Sequence, residues 1–303
     1  MKKAGESGHD LHYKCGLNTC SHVSPILDNE ILLMMTFKRL LVLVLVSSLL
    51  AACATSPTGR RQLMLVSEDS AIASSKQAYV STVKELDQAG KIEEDPVINA
   101  RVKTITGRLI TEAIKMRPET ASWEWSVVVV DDPEMVTAWC MAGGRMAIYT
   151  GLLEKIDPSD DELAQVMGHE ISHALAKHSA EKMSMQIATS VGVAAVGIAS
   201  DNTGVALTGA ALTAMLAVNL PNSRAAETEA DRIGIELAAK AGYDPAAAAS
   251  LWRKMAAASK SGTPQFLSTH PAPENRQQKL AKLETKMVPY YVPDADHPVY
   301  RLH

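Results

Sequence analysis

Apolar and polar positions alternate along this chain mostly at helical spacing. Ser67-Glu68-Asp69 reads as a helix start, followed by an amphipathic pattern from Ala71 to about Leu86 that stops at Gly90. Asp95-Pro96 opens a second helix, with Val97, Ile98, Val102, Ile105, Leu109, Ile110 and Ile114 along its apolar face. Trp125–Val130 is rich in β-branched residues and predicts a strand. Residues 138–141 and 145–149, joined by Gly143-Gly144, predict a hairpin, and its second strand leads into Thr150-Gly151-Leu152-Leu153. That strand, Arg145–Tyr149, is expected to offer its edge to an extended peptide.

Asp160-Asp161-Glu162 then suits a helix N-terminus, where the dipole favours negative charge. Leu163, Val166, Met167, Ile171, Ala174 and Leu175 form the apolar stripe of that helix. Ile187–Ser200 and Thr203–Leu220 carry no charge and fit a buried or membrane-touching helical hairpin. Helices follow over Arg224–Ala241 and from Asp244-Pro245 to about Ser259. Gly262–Pro273 reads as a loop holding His270, and Asn275 to about Lys286 as a short charged helix. The pattern gives a predominantly helical α+β chain.

The first part of the chain follows a different logic. Residues 1–33 are polar and patternless and read as an over-extended start, with translation beginning at Met34 or Met35; a cytosolic extension is the alternative. Lys38-Arg39, the apolar run Leu40–Val46 and Leu50-Ala51-Ala52-Cys53 stand in the order of a signal peptide, over residues 34–52. Leu-Ala-Ala-Cys resembles the bacterial lipobox, which implies lipidation at Cys53 and a chain anchored on the periplasmic side of the outer membrane. Residues 53–66 are then a tether, 67–288 one domain, and 289–303 an irregular tail.

Composition narrows the partners. The net charge is −4 over 303 residues, so no polyanion is implied, and 4% aromatic content argues against a base-stacking nucleic-acid surface. Of the four cysteines, Cys140 reads as a core residue, and Cys15 with Cys20 makes no disulfide framework.

The chemistry lies in His169-Glu170-Ile171-Ser172-His173. At about 100° per residue, two histidines four apart lie roughly 40° apart on one helix face, where both reach one metal ion. Glu170, beside them, is placed to act on a metal-bound water. His178 lies roughly 180° round the same helix and cannot share the ion if that helix continues. Ala176 and Ser179 stand where the metzincin pattern needs Gly and His. The third ligand must come from elsewhere, most naturally a Glu on another helix.

Arg224-Ala225-Ala226-Glu227-Thr228-Glu229-Ala230-Asp231 supplies one. With His-Glu-x-x-His, Glu-x-x-Ala-Asp resembles the gluzincin family of HtpX, the CAAX prenyl proteases and the BepA-like periplasmic proteases. Gly59-Arg60-Arg61-Gln62-Leu63, Gly143-Gly144, Tyr149–Leu153, His178–Glu181 and Thr269-His270-Pro271 extend the resemblance over about Gln62–Arg276.

The resemblance implies a zincin-type domain with a small antiparallel sheet and one Zn2+ between two helices. It implies His169, His173 and Glu227 as metal ligands, Glu170 as general base and Asp231 as a supporting catalytic residue. It implies a metalloendopeptidase acting on misfolded or misassembled envelope proteins. A chaperone-like assembly factor and an integral-membrane protease are the rival readings. Thr137-Ala138 and Ala142-Gly143-Gly144 depart from the Asn-Ala and Pro-Gly-Gly of many members. With Thr137 there, His270 is the candidate either to donate to an oxyanion or to occupy the metal's open position and inhibit.

Overall fold

The computed structural model describes residues 53–199, 223–258, 265–270 and 275–302, with Leu33, Thr36 and Leu40 besides. Residues 53–66, expected as a plain tether, carry a small hairpin of β1 (Cys53–Thr55) and β2 (Arg61–Leu63). Two long helices follow, α1 (Glu68–Gln88) and α2 (Pro96–Met116). Each begins where its cap directs: Ser67 accepts from the Ser70 amide and Asp95 from the Val97 amide, with Pro96 in the first turn.

β3 (Ser126–Val130), β4 (Ala138–Met141) and β5 (Arg145–Tyr149) form one sheet in the order β3-β5-β4. The β4–β5 hairpin is antiparallel, as expected, but β3 runs parallel to β5, so the sheet is mixed. This overturns the expectation for β5, because both of its edges are already paired. β4 is the edge strand on that side among the described residues.

α3 (Thr150–Ile156) leads to α4 (Asp160–Leu175), the helix that carries the His-Glu-x-x-His motif. A capping box between Ser159 and Glu162 starts it. Every residue from Glu162 to Leu175 is buried, so α4 runs through the core rather than along its surface. It ends because Lys177 adopts φ 59°, a left-handed conformation, and the chain turns into α5 (His178–Ala199). The expected hairpin over 187–220 is helical as far as Ala199, and the rest of it lies outside the described residues. Among the described residues no helix is long and apolar enough to cross a membrane.

α6 (Arg224–Lys240) starts at Ser223, whose side chain accepts from the Ala226 amide. It packs directly on α4. α7 (Ala247–Ala258), a short α8 (Gln265–Thr269) and α9 (Arg276–Met287) complete the helices. α8 stands where a loop was expected. Phe266 fixes it: its side chain is fully buried and its amide donates to the Val136 carbonyl at 3.0 Å. The tail does not hang free. Tyr300 donates its amide to the Gly107 carbonyl at 3.1 Å, where a side chain on Gly107 would collide with Val299.

One continuous core, including Val102, Leu109, Trp125, Met146, Leu163, Ile171, Ile235, Trp252 and Phe266, joins α2, the sheet, α4, α6, α7 and α8. The motif helix crosses its middle. Polar groups on α4 are thereby taken out of water and must find partners inside the protein.

Candidate metal centre

The site forms where α4 crosses α6. Gly168 and Gly234 set the approach. A Cβ on Gly168 would lie 2.9 Å from the Gly234 carbonyl oxygen, and one on Gly234 would lie 2.8 Å from the His169 amide nitrogen. Only a pair without side chains lets the two backbones meet this closely. That contact sits one residue before His169 on α4 and seven after Glu227 on α6, so it brings the two elements of the sequence pattern together.

His169, His173, Glu227 and His270 converge, each offering one ligand atom, all within 4.8 Å of one another. His169 Nε2 lies 3.1 Å from His173 Nε2 and 3.3 Å from a Glu227 oxygen. His173 Nε2 lies 3.5 Å from the other Glu227 oxygen. All four residues are buried. The helical spacing thus brings both histidines to one face of α4, and Glu227 meets them from the second helix.

His270 joins them from α8. Its Nδ1 lies 3.1 Å from Glu227 Oε1 and 3.3 Å from His169 Nε2, and its Nε2 lies 3.5 Å from Glu170 Oε1. Stacking on Phe266, with centroids 4.5 Å apart and planes at 20°, holds the ring there. His270 therefore does not cap the α9 helix. It faces the same point in space as the other three.

Glu170 is buried beside the cluster. Burial raises its carboxyl above the ordinary carboxylate value, against the pull of His270 and His169 and a hydrogen bond from the Cys140 backbone. Cys140 belongs to β4, the edge strand that packs against α4. The Cys140 thiol is itself buried and is pushed well up, by burial and then by Glu170. It reads as a core residue, as expected.

Outside the ligand atoms lies a second set of polar partners. His169 Nδ1 is 3.1 Å from Asp231 Oδ1, which also accepts from Arg276 Nη2 at 2.5 Å. Asp231 thus lies against the side of His169 that faces away from the cluster. Arg276 was not anticipated. It is buried, its guanidinium lies 3.5 Å over the Trp252 ring, and Nη1 reaches to 3.5 Å from Glu227. Nothing local in the sequence distinguishes it from any other arginine in a helix first turn.

The electrostatics suit a cation. Burial works against a carboxylate charge on Glu227, yet the neighbouring His169 and His270 hold it far below the ordinary range. Burial would also lower the His169 value, but Asp231 and Glu227 raise it to about 9. A positive charge at this point is thus strongly favoured. His173 goes the other way: burial, then the charges of His169 and His178, hold it well below the ordinary value, so it keeps a lone pair to donate. Glu227 Oε2 and Glu170 Oε1 are buried without a hydrogen-bond partner. Orphaned carboxylate oxygens among imidazoles make a donor set that fits Zn2+.

Known proteins agree with this chemistry. The sequence profile of Peptidase family M48 matches residues 96–284. The mitochondrial metalloendopeptidase OMA1 of Bos taurus is 32% identical over 237 residues, covering 75% of this chain and 45% of that protein. OMA1 of Arabidopsis thaliana is 37% identical over 158 residues, 52% of this chain and 31% of that protein. The β-barrel assembly-enhancing protease of Yersinia pestis is 28% identical over 217 residues, 69% of this chain and 43% of that protein. The chain thus spans less than half the length of each of these relatives.

Proposed function

This chain belongs to peptidase family M48, and from that premise we propose that it is a zinc metalloendopeptidase of the bacterial cell envelope that cleaves misfolded or misassembled proteins. The observation that carries the reading is the convergence of His169, His173, Glu227 and His270 with Glu170 buried alongside.

His169, His173 and Glu227 would hold the ion. When bound, Zn2+ lowers the pKa of a water molecule and polarises the scissile carbonyl. The protein supplies the remainder. Glu170 takes the proton of the attacking water and passes it to the leaving amine. Its raised pKa narrows the gap between base and neutral pH, which suits a group that must both accept and release a proton. Asp231, clamped by Arg276, keeps the His169 hydrogen on Nδ1 and leaves the Nε2 lone pair facing the cluster.

The free side of β4 is the natural seat for an extended substrate. A peptide adding there would pair with a strand that packs against α4, the helix that carries Glu170. Backbone pairing of this kind asks for an unfolded segment and little else, which fits a quality-control protease.

Envelope location rests on the basic residues, apolar run and Leu-Ala-Ala-Cys sequence that end at Cys53. Lipidation there would anchor the chain on the periplasmic side of the outer membrane. The name of the Yersinia relative, a β-barrel assembly-enhancing protease, supports β-barrel proteins as clients.

Digestion of an unfolded protein such as casein tests this directly. Activity should vanish with a chelator and return with zinc. Persistent digestion after complete metal removal would contradict it.

A further inference from the structure

We propose that His178 and Glu229, braced by Arg60 of the N-terminal hairpin, are positioning residues for the metal ligand His173. The inference rests on the zinc-site reading and goes beyond it, because it makes the segment Ser56–Gln62 part of the metal site.

His173 turns Nε2 toward the cluster, 3.1 Å from His169 Nε2. Its other ring nitrogen, Nδ1, lies 2.8 Å from Nδ1 of His178. His178 in turn places Nε2 3.2 Å from Glu229 Oε2. One assignment of protons satisfies the whole chain. Neutral His173 carries its hydrogen on Nδ1 and donates it to His178 Nδ1. His178 carries its hydrogen on Nε2 and donates it to the Glu229 carboxylate. This is also the tautomer that leaves the His173 Nε2 lone pair for a metal.

Glu229 is buried and heavily held. Arg60 Nε donates to Oε2 at 2.7 Å, and the Ser56 and Thr58 hydroxyls donate to Oε1. The other side of the Arg60 guanidinium forks onto Glu181 of α5, Nη1 at 2.6 Å and Nη2 at 2.5 Å. Gln62 closes the arrangement, donating to the Ala176 carbonyl at 2.7 Å and to Glu181 at 2.9 Å. The hairpin therefore grips the end of α4, the start of α5 and the first turns of α6 together.

The geometry depends on where α4 stops. Were it continuous, His178 would point away from His173. The left-handed Lys177 ends the helix and swings His178 back under the ligand. On α6, Glu229 lies roughly 200° round from Glu227, so one helix serves the site from two sides. The two zinc-ligand histidines end up with parallel supports: Asp231 and Arg276 behind His169, and His178, Glu229 and Arg60 behind His173.

The test uses zinc alone as probe, on full-length protein. Affinity is measured by competition with a chromophoric chelator, and ligand geometry by the visible spectrum of the cobalt-substituted protein. His178→Phe and Glu229→Gln should each weaken zinc binding on the order of 10- to 100-fold and shift the cobalt bands. Arg60→Ala should do so more weakly. Val129→Ala is the control: it shortens a buried side chain of β3, outside the relay, and should lower Tm while leaving zinc affinity and cobalt bands unchanged. Relay variants with wild-type affinity and spectrum would overturn the inference. So would a control that loses affinity in the same proportion to Tm as the relay variants do. If His178→Phe does not fold, Glu229→Gln decides the matter. Wild-type protein that takes up no zinc would instead overturn the metal-site reading beneath it.

Discussion

Gly168 and Gly234 touch backbone to backbone at the crossing of α4 and α6, and this contact fixes how far Glu227 stands from the two histidines. A methyl group on Gly234 would sit 2.8 Å from the His169 amide nitrogen. That nitrogen is backbone in a buried helix and cannot step aside. Gly234→Ala should therefore part the helices. The expected cost is about 1–3 kcal/mol of overpacking, seen as a lower Tm, with a weaker zinc affinity besides. Unchanged Tm and affinity would show that the crossing is not set here.

His270 presents Nδ1 to Glu227 and His169 at ligand distances and so is placed to occupy the open position on the metal. This geometry favours the inhibitory role over donation to an oxyanion. His270→Ala should raise turnover of an unfolded substrate several-fold and leave zinc bound. A fall in kcat without loss of zinc would instead assign the oxyanion role.

Glu68 ties α1 to the end of α4 through Arg117 and Lys177. Burial would raise its carboxyl, but those two cations hold it below the ordinary value of 4.5. A depressed folded-state pKa means stability that is present above 4.5 and lost as pH falls below it. The Tm gap between wild type and Glu68→Gln should accordingly be wide at pH 6 and shrink at pH 4 and below. A gap that stays constant would place the interaction elsewhere.

Much of this arrangement is legible in the sequence. The starts of α1, α2, α4 and α6 are announced by Ser67, Asp95, Ser159 and Ser223, whose side chains accept from the first turns. The motif spacing gives His169 and His173, because helical geometry alone puts them on one face. Glu227 needs only a second acidic helix. What escapes is set by contacts across long stretches of chain. His178 is hidden because a left-handed lysine at 177 leaves no mark in the sequence. Arg276 and Arg60 look like solvent-facing arginines until distant carboxylates close on them. β5 loses its expected role because β3, a strand from outside the hairpin, takes its second edge.

The lipid anchor makes a separate prediction. Mass spectrometry of the mature protein should find an N-terminus at Cys53 carrying acyl chains, and Cys53→Ser should release the protein from membranes. Recovery of residues 1–33 in the mature chain would contradict the proposed anchor.

The most direct test of the central claim is the zinc-loaded Glu170→Gln protein. The amide keeps the shape of the side chain and cannot take a proton. The account predicts bound zinc and wild-type Tm, with kcat on casein lower by at least about 100-fold. Digestion at the wild-type rate by that protein, freed of any contaminating protease, would contradict it.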